Sequence, residues 1–126
     1  MSAFAQAGYS QTKKITATPR QIEAQIFSQI AAELELAAGE DGKAKDVKAM
    51  ANALHRNSQL WSALMTDLAS EGNELPDDLK ANLISLGGFS LRHGARVLAG
   101  EAQVTDLVDL NRTIASGLRS AAAEAA

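Results

Sequence analysis

The side chains able to do acid–base or metal chemistry are few and scattered. The chain holds two histidines, His55 and His93, and no cysteine. Neither histidine stands at metal-ligand spacing from another His, Cys or carboxylate, as in a His-Glu-x-x-His helix, so no metal site is expected. The lack of cysteine excludes disulfides, thiolate ligands and cysteine nucleophiles, and is compatible with a reducing compartment. No Gly-x-Ser-x-Gly elbow and no phosphate-cradling glycine loop occurs, and Gly87-Gly88 falls inside a helical pattern. His93 lies on an apolar helical stripe, where a satisfied core histidine is the ordinary outcome. The chain reads as a non-enzyme, without catalytic residues, metal or cofactor.

The polar residues that stand out instead are two amides. Val47, Met50, Leu54, Asn57, Trp61, Leu64 and Leu68 follow one another in alternating steps of three and four, the spacing that keeps one helical stripe against a partner helix. Asn57 thus takes a core position. Val104, Leu107, Asn111, Ile114 and Leu118 repeat the pattern, with Asn111 at the polar step. A single amide in such a seam costs stability and can fix register or partner choice. Two readings stay open: the amides satisfy each other or a helix end inside the core, or they face a groove where they would reject wrong partner helices. Trp61, the only tryptophan, is in the same way a core anchor or the edge of a groove.

Four helical segments position these residues. Thr18-Pro19-Arg20-Gln21 opens the first, with Thr18 as cap, Pro19 at the first helical position and Gln21 completing a capping box. Ile22, Ile26, Phe27, Ile30 and Leu34 form its apolar face, and Gly39-Glu-Asp-Gly42 ends it. The second runs from Lys43 to about Ser70 and is the longest periodic segment. Gly72-Asn-Glu-Leu-Pro76 separates it from the third, whose first turn carries Asp77 and Asp78, favourable at a helix N-terminus. The third has two stripes, Leu79-Leu83-Leu86-Ser90-His93-Val97 and Ile84-Leu91-Leu98, which predict a central place or a second contact. Gly87-Gly88 would allow another helix close or introduce a kink. Gly100 closes this helix, and a fourth begins near Gln103 or Thr105 and frays into the alanine-rich end.

The expected fold is therefore all-α, a small four-helix bundle over residues 18–126 behind a loosely ordered arm of residues 1–17. A chain of 126 residues with 46% hydrophobic content suffices for one such core. Phe4 and Tyr9 are unusual in a solvating arm; docking on the bundle, contact with a partner and plain disorder are all open. The net charge of −3 argues against generic nucleic-acid binding. Charge is blocky: Lys13, Lys14 and Arg20 are followed by acidic runs at Glu23 to Asp41 and at Asp67 to Asp78, which most simply are solvated faces. No basic-then-apolar leader and no membrane-length apolar run occurs, so a soluble cytoplasmic protein is expected.

Several of these residues recur in a set order: Tyr9; Arg20 and Glu23; Ala53-Leu-x-x-Asn57-x-x-x-Trp61; Asn73-x-Leu-Pro76-x-x-Leu79; and Leu107-x-x-x-Asn111-x-x-x-x-x-Gly117-Leu118. In this order and spacing the chain resembles the flagellar biosynthesis regulator FlaF family of alphaproteobacteria, from about Tyr9 to Leu118. The resemblance implies a cytoplasmic factor for making and exporting flagellin. Its partners would be flagellin, the regulator FlbT and the flagellar export apparatus. Two activities are implied: a secretion chaperone that holds flagellin unpolymerised, comparable in role to FliS, and post-transcriptional control of flagellin synthesis alongside FlbT. The physical reading favours the first, with the amphipathic terminal helices of flagellin held in an apolar groove. The candidate contacts are Asn57, Trp61, Leu64, Leu68, Leu83 and Leu86, between the second helix and the third or fourth, with Phe4 and Tyr9 as arm contacts.

Overall fold

The computed structural model describes residues 19–125, with the side chains of Ala122, Glu124 and Ala125 left out. The arm assigned to residues 1–17, with Phe4 and Tyr9, and the Thr18 cap lie outside that range. Four helices make the fold: α1 (Pro19–Ala37), α2 (Val47–Ala69), α3 (Asp77–Leu98) and α4 (Thr105–Ala125). The all-α reading is correct.

The connection after α1 is longer than the periodicity implied, running from Ala38 to Asp46. Gly42 takes φ +77°, and a Cβ there would come within 2.9 Å of the Gln103 side chain, so glycine serves both the turn and a close approach. Its carbonyl accepts from the Val104 amide at 2.8 Å, tying the α1–α2 turn to the start of α4. An isolated antiparallel bridge pairs Ala38 with Ala44 across this connection. Asp46 then caps α2, its carboxylate accepting from the Ala49 amide at 3.0 Å. The second helix thus starts at Val47 rather than Lys43. Val47 itself is 69% exposed, so the stripe packs only from Met50 onward.

Ala24, Phe27, Ala31 and Leu34 on α1 are fully buried, as are Leu107 and Ala115 on α4, and α1–α4 is the largest helix interface. Alanine at 24, 31 and 115 removes the bulk that would hold the two helices apart. On the other side, Phe27 meets Trp61 of α2 edge-to-face, with ring centres 5.4 Å apart. Glu35 and Arg112 form a bidentate pair across the α1–α4 surface at 3.0 and 3.1 Å.

Helix α3 packs on α2 and scarcely touches α4. Of the two outcomes its stripes allowed, central placement is not found; the second contact stays open. Gly87 explains the closeness to α2: a Cβ there would sit 2.5 Å from the Met65 sulfur and 3.2 Å from the Trp61 ring. The glycine pair admits a neighbour without interrupting the helix, which runs unbroken from Asp77 to Leu98. The helices therefore lie in the order α4, α1, α2, α3, and the row is left open between its two ends.

Candidate functional site: the cleft between α3 and α4

A buried chain of hydrogen bonds sets the spacing of the three helices around the opening. The Trp61 indole N–H donates to the Asn111 amide oxygen at 2.9 Å. The Asn111 amide nitrogen donates to the Asn57 oxygen at 2.8 Å, and the Asn57 nitrogen donates to the Ser90 hydroxyl at 3.0 Å. All four side chains are buried, none more than 1% exposed. An indole can only donate, so it fixes the Asn111 oxygen toward itself, and every later link follows from that orientation. The chain joins α2, α3 and α4, although the backbones of α2 and α4 do not approach one another.

Toward one end of the bundle, α3 and α4 meet at a joint. The His93 ring is 8% exposed, and its Nε2 lies 2.7 Å from the Gln103 carbonyl oxygen. A carbonyl only accepts, so Nε2 carries the proton. Phe89 stacks on the imidazole with ring centres 5.2 Å apart, and an Asp106 carboxylate oxygen is 4.0 Å from Nε2.

Toward the other end the helices diverge and leave an apolar cleft of about 310 Å³. Leu64 of α2 lines it together with Leu75, Leu79 and Leu83 on one side and Ile114, Gly117, Leu118 and Ala121 on the other, with Arg20 at its edge. Leu79, Leu86 and Phe89 are 42%, 37% and 37% exposed. Helical spacing puts these three on the flank of α3 that carries His93, the flank turned toward α4. They extend the uncovered apolar surface from the cleft toward the joint.

The lip of the cleft is built by a turn. The Asn73 side-chain oxygen accepts from the Leu75 amide at 3.0 Å, an Asx turn, while the Lys80 ammonium donates to the Asn73 carbonyl at 2.6 Å. Leu75 is thereby held over the cleft, and Pro76 stands at the N-cap of α3. Beside this lip lies a second, polar hollow of about 640 Å³, lined by Pro19, Arg20, Glu23, Asp67, Asn73, Glu74 and their neighbours. Glu23 is 8% exposed, and burial raises its carboxyl above the ordinary carboxylate value. The Arg20 guanidinium, 3.4 Å away, opposes that shift, and the Asp67 charge adds to it.

The six groove candidates fall in three places. Leu64 and Leu83 line the cleft, and Leu86 is exposed on the flank beyond it. Asn57, Trp61 and Leu68 are inside the bundle, at 1%, 0% and 2% exposure, with Asn57 and Trp61 held by the hydrogen-bond chain. Asn57 also borders a smaller crevice between α2 and α3, with Leu54, Ser90 and Leu91. Leu75, Leu79, Ile114, Gly117 and Leu118 complete the cleft and were not among the six. Their signal was present, since Leu79, Ile114 and Leu118 belong to apolar stripes and Leu75 and Gly117 to the motif order. Among the described residues no group of His, Cys, Asp or Glu is arranged to hold a metal ion. No helix among them is long and apolar enough to cross a membrane.

The motif residues thus divide by position. Ala53, Leu54, Asn57, Trp61, Leu107 and Asn111 are core. Arg20, Glu23, Asn73, Leu75, Leu79, Gly117 and Leu118 gather around the cleft and its polar neighbour. Compared with known proteins, residues 5–118 match the family model described as flagellar protein FlaF. No curated protein and no solved structure matches the chain.

Proposed function

The chain belongs to the flagellar protein FlaF family, and from that premise we propose that it binds flagellin in the cytoplasm. In this reading it is a secretion chaperone that keeps subunits unpolymerised and hands them to the export apparatus. The observation that carries the reading is the uncovered apolar cleft between α3 and α4, walled by Leu75, Leu79, Leu83, Ile114 and Leu118. An amphipathic helix recognises such a cleft by inserting a few apolar anchors spaced one turn apart. At about 310 Å³ the cleft takes anchor side chains of a helix lying across it, not the helix itself. The exposed flank of Leu86 and Phe89 lengthens the apolar track such a helix would cover.

Gly117 supports this use. It lines the cleft, and a Cβ added there would meet nothing within 4 Å, so the α4 wall is low where a partner backbone would pass. The rim is charged: Arg20 stands at the edge, with Glu23, Asp67 and Glu74 in the adjoining hollow. Rim charges steer approach and select register while adding little to affinity, which suits a client that must be released.

The test is co-purification and titration with full-length flagellin and with flagellin lacking either terminal segment. The reading requires a stoichiometric complex that depends on one terminal segment. No complex at micromolar concentration would sink it. The alternative, control of flagellin synthesis with FlbT and without chaperoning, would then be examined through binding to FlbT and to flagellin leader RNA, the latter weakening steeply with salt if it is direct.

A further inference from the structure

Helical spacing puts Leu91 and Leu98 on the flank of α3 turned away from Leu86 and Phe89. On that flank a crevice of about 270 Å³ runs between α2 and α3, walled by Leu54, Leu91 and Leu98, with the small residues Ala51, Gly94 and Ala95 between them. Gly87 lies against Trp61, Ser90 against Asn57 and Gly94 against Leu54, so the two helices run antiparallel. Ala51 and then Val47 therefore come level with Leu98. Val47 is 69% exposed and Leu98 57%, two of the most exposed large apolar side chains among the described residues. The apolar surface thus continues from the crevice onto a bare end.

The polar groups there are donors and cations. The hydrogen-bond chain runs one way from the indole, so Ser90 accepts from Asn57 and keeps its own proton, which no described residue accepts. Both side chains line the crevice and leave a free donor at its floor. Residues 47–59 and 84–98 contain no Asp or Glu, in a chain of net charge −3, but do contain Lys48, Arg56, Arg92 and Arg96. Arg56 is paired with Glu33 of α1. Lys48 and Arg92 have no ion pair among the described residues. Lys48 stands two turns before His55, on the face that lines the crevice. The Arg92 guanidinium folds back over Gly88, 3.0 Å from where a Cβ there would sit.

These charges decide between occupants. A second copy of the chain would bring the same cations against one another, and like charges across an interface oppose it. A nucleic acid would meet Lys48 and Arg92 but leave Leu91 and Leu98 without apolar cover. An acidic helix with one apolar stripe meets both requirements.

We propose that the α2–α3 flank is a second docking surface, for an acidic amphipathic helix of another protein. Its aliphatic anchors lie over Leu91 and Leu98, and its carboxylates face Lys48 and Arg92. This surface and the α3–α4 cleft occupy opposite flanks of α3, so both can be filled at once. The docking rests on the crevice and its charges, not on the proposed function.

The probe is a synthetic amphipathic helix with leucines at one-turn spacing flanked by glutamates, titrated into the full-length protein without flagellin. Saturable shifts are expected in the methyl resonances of Val47, Leu54, Leu91 and Leu98, while Leu79, Leu83 and Leu118 stay in place. A twin peptide with lysine for every glutamate should bind at least about tenfold more weakly. Val47→Ser with Leu98→Ser, and separately Lys48→Glu with Arg92→Glu, should each weaken the glutamate peptide at least about tenfold, with melting temperatures little changed because all four positions are on the surface. No saturable shift, equal binding by the twin, or shifts confined to Leu79, Leu83 and Leu118 would each overturn the proposal. The same methyl shifts on concentrating the protein alone would make the occupant a second copy, and saturable shifts with an oligouridine would make it RNA; either result overturns the assignment to an acidic helix.

Discussion

The Asn111 amide nitrogen donates to the Asn57 amide oxygen across 2.8 Å, joining two helices whose backbones do not approach each other. With Trp61 at one end and Ser90 at the other, this pair lets three helices agree on a spacing although α3 and α4 diverge farther along. The cleft exists because that agreement is local.

Asn57→Leu tests the pair as structure. The substitution leaves the Asn111 amide nitrogen without its acceptor and the Ser90 hydroxyl without its donor, both buried. A cost of about 1–3 kcal/mol is expected in urea unfolding. Flagellin binding by the folded fraction should be unchanged. Higher stability combined with weaker binding would instead place Asn57 in recognition.

Two helical glycines should respond oppositely to a side chain. Gly87→Val drives carbon into the Met65 sulfur and the Trp61 ring and should destabilise by about 1–3 kcal/mol. Gly117→Ala meets no neighbour and should stabilise by up to about 1 kcal/mol through helix propensity. Equal effects at the two sites, read by thermal and urea unfolding, would contradict the α2–α3 approach described above.

Glu23 predicts a pH dependence. Burial raises its carboxyl in the folded state, so between the ordinary carboxylate value and the raised one the folded protein binds more protons than the unfolded. Stability from this group is therefore lost as pH rises through that window and is restored on acidification. Glu23→Gln should be more stable than wild type at pH 7, and the gap should close as pH falls below the ordinary carboxylate range. Melting curves of both proteins from pH 4 to 7 check the sign; a gap that widens on acidification would contradict it.

Much of the interior was legible because its signals are periodic. The three-four stripes placed Met50, Leu54, Asn57, Trp61, Leu64 and Leu68 on one buried face, and Asn111 on another. That the two amides bond each other was one of two open readings, since periodicity gives the face of one helix and not the rotation of the next. The same limit hid the place of α3. Its two apolar stripes are equal in sequence, and only the approach at Gly87 decides that α2 takes one flank while Leu79, Leu86 and Phe89 stay uncovered. The start of α2 was missed because Lys43 to Lys45 read as helix formers, whereas the turn at Gly42 and the Asp46 cap govern them.

Leu79→Glu and Leu83→Glu, singly, should weaken flagellin binding at least about tenfold, equivalent to about 1.4 kcal/mol, because each puts a carboxylate where an apolar anchor would sit. Leu98→Glu serves as the control: Leu98 is 57% exposed and lies outside the cleft, so binding should not change. Titration of the three variants against one flagellin preparation gives the comparison.

The most direct measurement is flagellin polymerisation with an equimolar amount of wild-type protein or of Gly117→Leu. Gly117 lines the cleft and a Cβ there meets nothing within 4 Å, so the leucine is expected to obstruct the cleft and both proteins should unfold at similar temperatures. Wild type should suppress filament growth and Gly117→Leu should not. Equal suppression by the two would show that flagellin is held somewhere other than the cleft between α3 and α4.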